Sequence, residues 1–138
     1  MTARLLLLLP IVLMQAAGDG DKDAKQFQGT WTMVSAEKAG KKLPEELLKQ
    51  SKVVFKDDTM TILGGPKEEK AKFKLDASKT PRTIDVTPPD RDKPALGIYE
   101  LTGDTLKMCW RKPGGERPTE FKADEASDAV MFVLKREK

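Results

Sequence analysis

The chain of 138 residues carries 25 Lys+Arg against 22 Asp+Glu, a net charge of +3, with 34% charged residues of mixed sign. That length holds one domain, and with no Lys/Arg block or basic aromatic stripe the small positive excess argues against a nucleic-acid partner. There is no histidine and a single cysteine, which removes Ser-His-Asp and Cys-His catalysis, most transition-metal sites and any intramolecular disulfide together.

The chain opens on a targeting signature. Arg4 supplies a positive n-region, Leu5 to Met14 is an apolar run interrupted only by Pro10, and Ala16-Ala17-Gly18 places small residues where cleavage occurs. The ten-residue run is too short to span a bilayer, which takes about 20 residues. Residues 1–18 therefore read as a cleaved signal peptide, and the mature protein as exported, periplasmic or secreted, without stable membrane insertion. Removing Arg4 leaves a mature charge of 3 − 1 = +2. Asp19-Gly20-Asp21-Lys22-Asp23 invites a calcium loop, but the positions that need Gly and Glu hold Ala24 and Thr30. Residues 19–26 read as a polar tether, and residues 27–138 as the folded domain.

From Phe27 the chain alternates. Gly29 lets it bend tightly into a first strand, Thr30 to Glu37, with Trp31, Met33 and Ser35 on one face. After the Lys38 to Lys42 turn, Pro44 to Gln50 reads as a short helix: Pro suits the first turn, and Glu45 and Glu46 favour the positive end of the dipole. It would act as a lid or plug over one barrel mouth. Lys52 to Lys56 and Thr59 to Leu63 make a hairpin across Asp57-Asp58, with Val53 and Phe55 facing Met60 and Ile62. Beyond the Gly64-Gly65-Pro66 turn, Lys67 to Leu75 sends Lys70, Lys72 and Lys74 to solvent and Ala71, Phe73 and Leu75 inward.

Arg82 to Thr87 is a fifth strand, carrying Ile84 and Val86, followed by the stiff, charged Pro88 to Pro94 loop. Ala95 to Leu101 and Thr105 to Trp110 pair across Thr102-Gly103-Asp104. The long turn Lys112 to Pro118 leads into a brief extended piece, Thr119 to Lys122, and Val130 to Arg136 is the eighth strand. Eight consecutive strands with short turns imply an all-β fold: a small, antiparallel, up-and-down eight-stranded barrel with one short helix between strands 1 and 2, closed so that no sheet edge is left exposed.

The Gly29-Thr30-Trp31 start, the strand count and Arg136 in the last strand resemble the lipocalin pattern. That resemblance implies that Arg136 covers Trp31, so that Gly29, Trp31 and Arg136 close the barrel. A guanidinium on an indole face contributes about 0.5–2 kcal/mol. A closer resemblance runs over almost the whole mature chain. Phe27-Gln28-Gly29-Thr30-Trp31, Gly40-Lys41-Lys42-Leu43-Pro44, Gly97-Ile98-Tyr99-Glu100-Leu101, Gly103-Asp104-Thr105-Leu106 and Gly114 to Phe121 look like the planctomycetal conserved-hypothetical domain family. That resemblance implies a lipocalin-like fold and brings no established activity and no functional residues.

An eight-stranded barrel either fills with side chains or holds one small ligand. The leading expectation is a binding module for a small apolar or amphipathic ligand, walled by Trp31, Met33, Phe55, Met60, Ile62, Phe73, Ile84, Met108, Trp110 and Phe132. Methionines suit an adaptable pocket, and Tyr99, Ser35 or Glu100 would orient a polar group. The alternative is a packed barrel acting as a structural module of the cell envelope, touching a protein partner through its loops. Glu100, Glu116, Glu120 and Asp104 show no catalytic spacing, and a Glu116/Arg117 pair reads as a loop-holding ion pair, so an enzyme is not expected. Neither is a cofactor or a metal. Cys109 reads as a buried, inert thiol, and the protein as a monomer.

Overall fold

The computed structural model describes residues 22–64, 67–123 and 128–137. The expected signal peptide, the first three tether residues and part of the Gly64-Gly65-Pro66 turn lie outside them. A helical turn, α1 (residues 22–27), leads into β1 (Gly29–Lys38), β2 (Lys41–Lys42), α2 (Glu45–Gln50), β3 (Lys52–Lys56) and β4 (Thr59–Leu63). Then follow β5 (Glu69–Asp76), β6 (Arg82–Thr87), β7 (Ala95–Thr102), β8 (Thr105–Trp110) and β9 (Val130–Arg136). Each strand from β3 to β9 pairs antiparallel with the next. The ring closes where β1 takes β3 on one side and β9 on the other, Trp31 lying opposite Arg136 and Lys38 opposite Val130. This is the closed eight-stranded barrel expected; the two-residue β2 is an extra ladder on β1.

The strands form where apolar and polar residues alternate, because one face meets the core and the other meets water. On β5, Phe73 is buried between exposed Lys72 and Lys74. Lys72 reaches Asp58 at 3.1 Å on the wet side. In β1 the alternation breaks. The register shifts between Met33 and Ser35, so a bulge at Val34 inserts one extra residue. Trp31 and Met33 face inward, but past the bulge Ala36 takes the interior place and Val34 is 51% exposed. Ser35, expected beside Met33, is therefore off that face.

Gly29 adopts φ +119°, and a Cβ there would meet nothing within 4 Å. Its role at the entrance to β1 is the conformational freedom of the bend, not close packing. Gly97 is the opposite case: a Cβ would lie 2.7 Å from both the Cys109 carbonyl oxygen and Trp110 Cβ. Only hydrogen lets β7 and β8 approach there.

The helices occupy different places from those expected. β1 parts from β3 after Thr32, and the Met33 N–H donates to the Ser51 carbonyl at 3.2 Å. Beside that seam α2 buries Leu48 in the core. It carries Glu45 and Glu46 in its first turn and Lys49 in its last, which complements its dipole. It is a seam filler, not a lid.

The plug is α1, from the stretch expected to be tether. Asp23 and Phe27 stand four apart, so one helical turn aims both inward. Phe27 is 0% exposed, with ring centroids 5.0 Å from Phe55, 5.1 Å from Tyr99 and 6.0 Å from Phe73. The Asp23 carboxylate accepts from the Tyr99 hydroxyl at 2.5 Å and from Arg82 Nη1 at 2.7 Å. A polar run conceals this turn because its buried carboxylate is satisfied by partners far along the chain.

Thr119 to Lys122 forms no strand. The segment after β8 instead runs over the outside of the barrel, where Phe121 and Ala129 join Ile98, Cys109 and Met131 in a second small core. Lys107 Nζ lies 5.3 Å from the Phe121 ring centroid.

If α1 is an integral plug, Phe27→Ala costs about 3–5 kcal/mol. Asp23→Ala, which strands the buried Tyr99 hydroxyl, costs about 1–3 kcal/mol. The exposed change Lys25→Ala stays within about 0.5 kcal/mol. Urea denaturation of the three variants checks this ordering.

Candidate functional site

The barrel has unlike ends, and the register assigns each residue to one of them. Gly29, the Asp57-Asp58 turn, the start of β6, the Thr102 to Thr105 turn and Arg136 gather at the α1 end. There Trp31 is 0% exposed, and its indole N–H donates to the Phe27 carbonyl at 2.8 Å. The Arg136 guanidinium lies 4.4 Å from the Trp31 ring centroid. It is held by Nε to Asp104 Oδ1 at 3.2 Å and Nη2 to the Gln26 carbonyl at 2.7 Å. Trp31 is thus sandwiched between plug and last strand.

Of the residues expected to wall a ligand, Trp31, Met33, Phe55, Phe73, Ile84, Tyr99 and Met108 are all buried in one apolar cluster and do not line the open cavity. Met60 belongs to the same cluster, 2% exposed, and borders the cavity. The aromatic rings interlock edge-on, with Phe55 and Phe73 centroids 5.2 Å apart at 74°; this is how aromatic side chains fill space densely.

The other end is open. A cavity of about 770 Å³ lies there, with Met60, Ile62, Ala71, Val86, Trp110 and Val130 among its lining residues. Met60, Ile62 and Trp110 were expected to contact ligand. Phe132 packs against the same interior core as Trp110, the two rings 5.1 Å apart. The rim is charged: Lys38, Lys67, Lys70, Arg91, Arg111 and Lys112 stand among Glu68, Glu69, Asp90 and Asp128. Pro88, Pro89 and Pro113 stiffen the loops that carry several of these groups.

None of the three polar orienters expected from the sequence stands at this mouth. The Tyr99 hydroxyl is committed to Asp23, Ser35 is displaced by the bulge, and Glu100 is exposed outside the barrel. The rim cations were not brought together from the sequence, where Lys70 reads as part of a solvated row. Their signal is positional: they lie at the strand ends and in the loops on the side opposite Trp31, which only the register makes visible.

A second hollow of about 460 Å³ lies on the barrel's outer wall between β5, β6 and the segment after β8. Arg117 reaches across it, with Nη1 donating to the Gly97 carbonyl at 2.7 Å and 2.9 Å from Asp85 Oδ1. The loop-holding partner of Arg117 is therefore Asp85, not Glu116, which is exposed. Glu120 is exposed as well, and among the described residues no three His, Cys, Asp or Glu gather as a metal would require. Cys109 is 0% exposed, its thiol 3.6 Å from the Lys122 carbonyl, and burial pushes its ionisation up.

The fold and the site together define a closed antiparallel eight-stranded barrel, plugged at one end and hollow at the other. Comparison of the chain with protein-family models, with curated proteins and with solved structures finds no match.

Surface carboxylates are held low by their neighbours: Asp58 by Lys72, Asp76 by Ser78, and Glu137 by Lys52 and Thr32. Tyr99 is shifted the other way. Burial, then the hydrogen bond to Asp23, raises it above the ordinary 10.0. A raised folded-state value favours the neutral phenol in the fold. Its contribution to stability is complete below pH 10.0 and is lost as pH rises from there towards the folded-state value. Tyr99 is the only tyrosine, so ultraviolet titration reads it alone. Phenolate absorbance is expected to appear above the ordinary range, together with unfolding; a separate transition of the folded protein near the ordinary value contradicts the buried triad.

Proposed function

We propose that the protein is an exported, lipocalin-like binding module that holds a small apolar or amphipathic ligand in the open half of its barrel. The observation that carries this reading is the mouth cavity. At about 770 Å³ it falls within the span of about 300–1,000 Å³ typical of small-molecule sites. Its floor is apolar, with Ile62, Trp110 and Val130 offering surface against which a hydrocarbon gains free energy by leaving water. The packed end supports the reading from the other side: a filled floor anchors the strands, so the hollow half need not collapse when empty. Export rests on the Met1 to Gly18 signature.

The alternative, a packed envelope module without a ligand, draws on the exposed apolar side chains of Val34, Leu43 and Leu47, which would suit protein contact. Native mass spectrometry of protein purified gently from its own host separates the two. An adduct lost on organic extraction is expected, together with uptake of a fluorescent apolar probe. Ala71→Trp, which places a ring in the mouth, is expected to weaken probe binding at least about tenfold while leaving the melting temperature near that of the parent, because pocket occupancy depends on free volume. A clean apo mass with no probe uptake contradicts the proposal.

A further inference from the structure

The rim of the mouth is uneven in how well its charges are satisfied. Arg111 follows Trp110 directly in the chain, and both residues are among those lining the cavity. The Arg111 backbone N–H is tied to the Leu96 carbonyl at 3.3 Å, which fixes the side chain's root. Its head is not fixed. Among the described residues the buried Arg111 Nε has no hydrogen-bond partner, an exceptional state for a buried donor. Among the described residues the carboxylate paired with it is that of Asp128, whose Oδ1 is 3.9 Å away, too far for a hydrogen bond. Lys112 shares the same Asp128, its Nζ 3.7 Å from Oδ2. Two cations thus lean on one carboxylate, and neither makes a charge-assisted hydrogen bond with it.

The same cavity is apolar below and charged above. A ligand that fills it must present hydrocarbon to Met60, Ile62 and Trp110, and whatever polar end it has must stop at the rim. Taking a charge into the floor would cost several kcal/mol, whereas at the rim the charge stays hydrated and meets a counter-charge. Lys38, on β1 and next to Val130 in the register, faces the same opening and adds a third cation.

We infer, resting on the binding reading above, that the ligand is an amphiphile whose head is an anion, a carboxylate or a phosphate, taken up by Arg111 and Lys112 while its tail lies on Trp110, Met60 and Ile62. The head accepts the hydrogen bonds that Asp128 is too distant to accept. Arg111 presents a planar fork suited to an oxyanion, and Lys112 a mobile point charge beside it. Glu68, Glu69 and Asp90 stand elsewhere on the rim and disfavour an anion placed against them, which confines the head to the Arg111 side.

The test holds the tail constant and changes the head. Dodecanoate, dodecyl phosphate, dodecanol and dodecyltrimethylammonium are titrated calorimetrically into the purified protein, below their micelle concentrations. The anions are expected to bind about tenfold or more tighter than dodecanol, the scale of one charge-assisted hydrogen bond, and the ammonium more weakly than dodecanol. The order of the two anions tells carboxylate from phosphate, and either satisfies the inference. In Arg111→Gln/Lys112→Gln the anions fall to the level of dodecanol while dodecanol itself binds as before, which shows that the cavity is intact. Lys112→Gln alone is expected to lose part of the preference. Equal binding of dodecanol and the anions, or a preference that survives the double substitution, overturns the anionic head and leaves the binding module standing. Failure of all four probes overturns both.

Discussion

Everything in this barrel depends on how Trp31 is enclosed. Its indole is buried beneath the Arg136 guanidinium and hydrogen-bonded to the carbonyl of Phe27. Those three residues belong to the first strand, the last strand and the plug. One aromatic side chain therefore joins the two strands that close the ring to the turn of helix that stops its end. Arg136 is in turn fixed by Asp104 and the Gln26 carbonyl, so closure is a network and not a single contact. The stacking itself is of modest strength, about 0.5–2 kcal/mol. Its effect is large because a barrel that does not close exposes two strand edges.

Closure at one end explains the division of labour along the axis. A small domain has little core to distribute, and here Phe27, Phe55, Phe73 and Tyr99 interlock around the plug, while the opposite mouth keeps partly exposed residues such as Ile62, Ala71 and Trp110. The second core on the outer wall, Ile98 with Cys109 and Met131 under Phe121, stiffens β7, β8 and β9 from behind. The strand that delivers Trp110 to the mouth is thereby packed on both faces, and the hollow half gains rigidity without being filled.

The strands were legible because period-two alternation is a local signal. Val53, Phe55, Met60 and Ile62 could be placed without knowing anything distant. What was illegible depends on long-range partners. The bulge at Val34 shows only as a register slip against β9, and it moved Ser35 off the interior face. The α1 turn hides in Lys-Asp-Ala-Lys-Gln-Phe because the carboxylate it buries is satisfied by Arg82 and Tyr99, 59 and 76 residues away. The expected ligand wall merged two ends of the barrel, since inward-facing residues look alike in sequence whichever end they occupy. Register separates Tyr99, packed opposite Met108, from Trp110, opposite Gly97 at the mouth; Met60, opposite Phe55, belongs to the packed core and borders the cavity.

One end of this barrel is sealed by α1, and the other is the one proposed to receive a ligand. The two tryptophans report on those ends separately, Trp31 at the plug and Trp110 at the mouth. The most direct measurement follows their two indole N–H signals in a ¹⁵N-labelled sample titrated with dodecanoate. The account predicts that the Trp110 signal moves in step with binding while that of Trp31 stays in place. Movement of Trp31 with Trp110 unmoved, or equal movement of both, would contradict it.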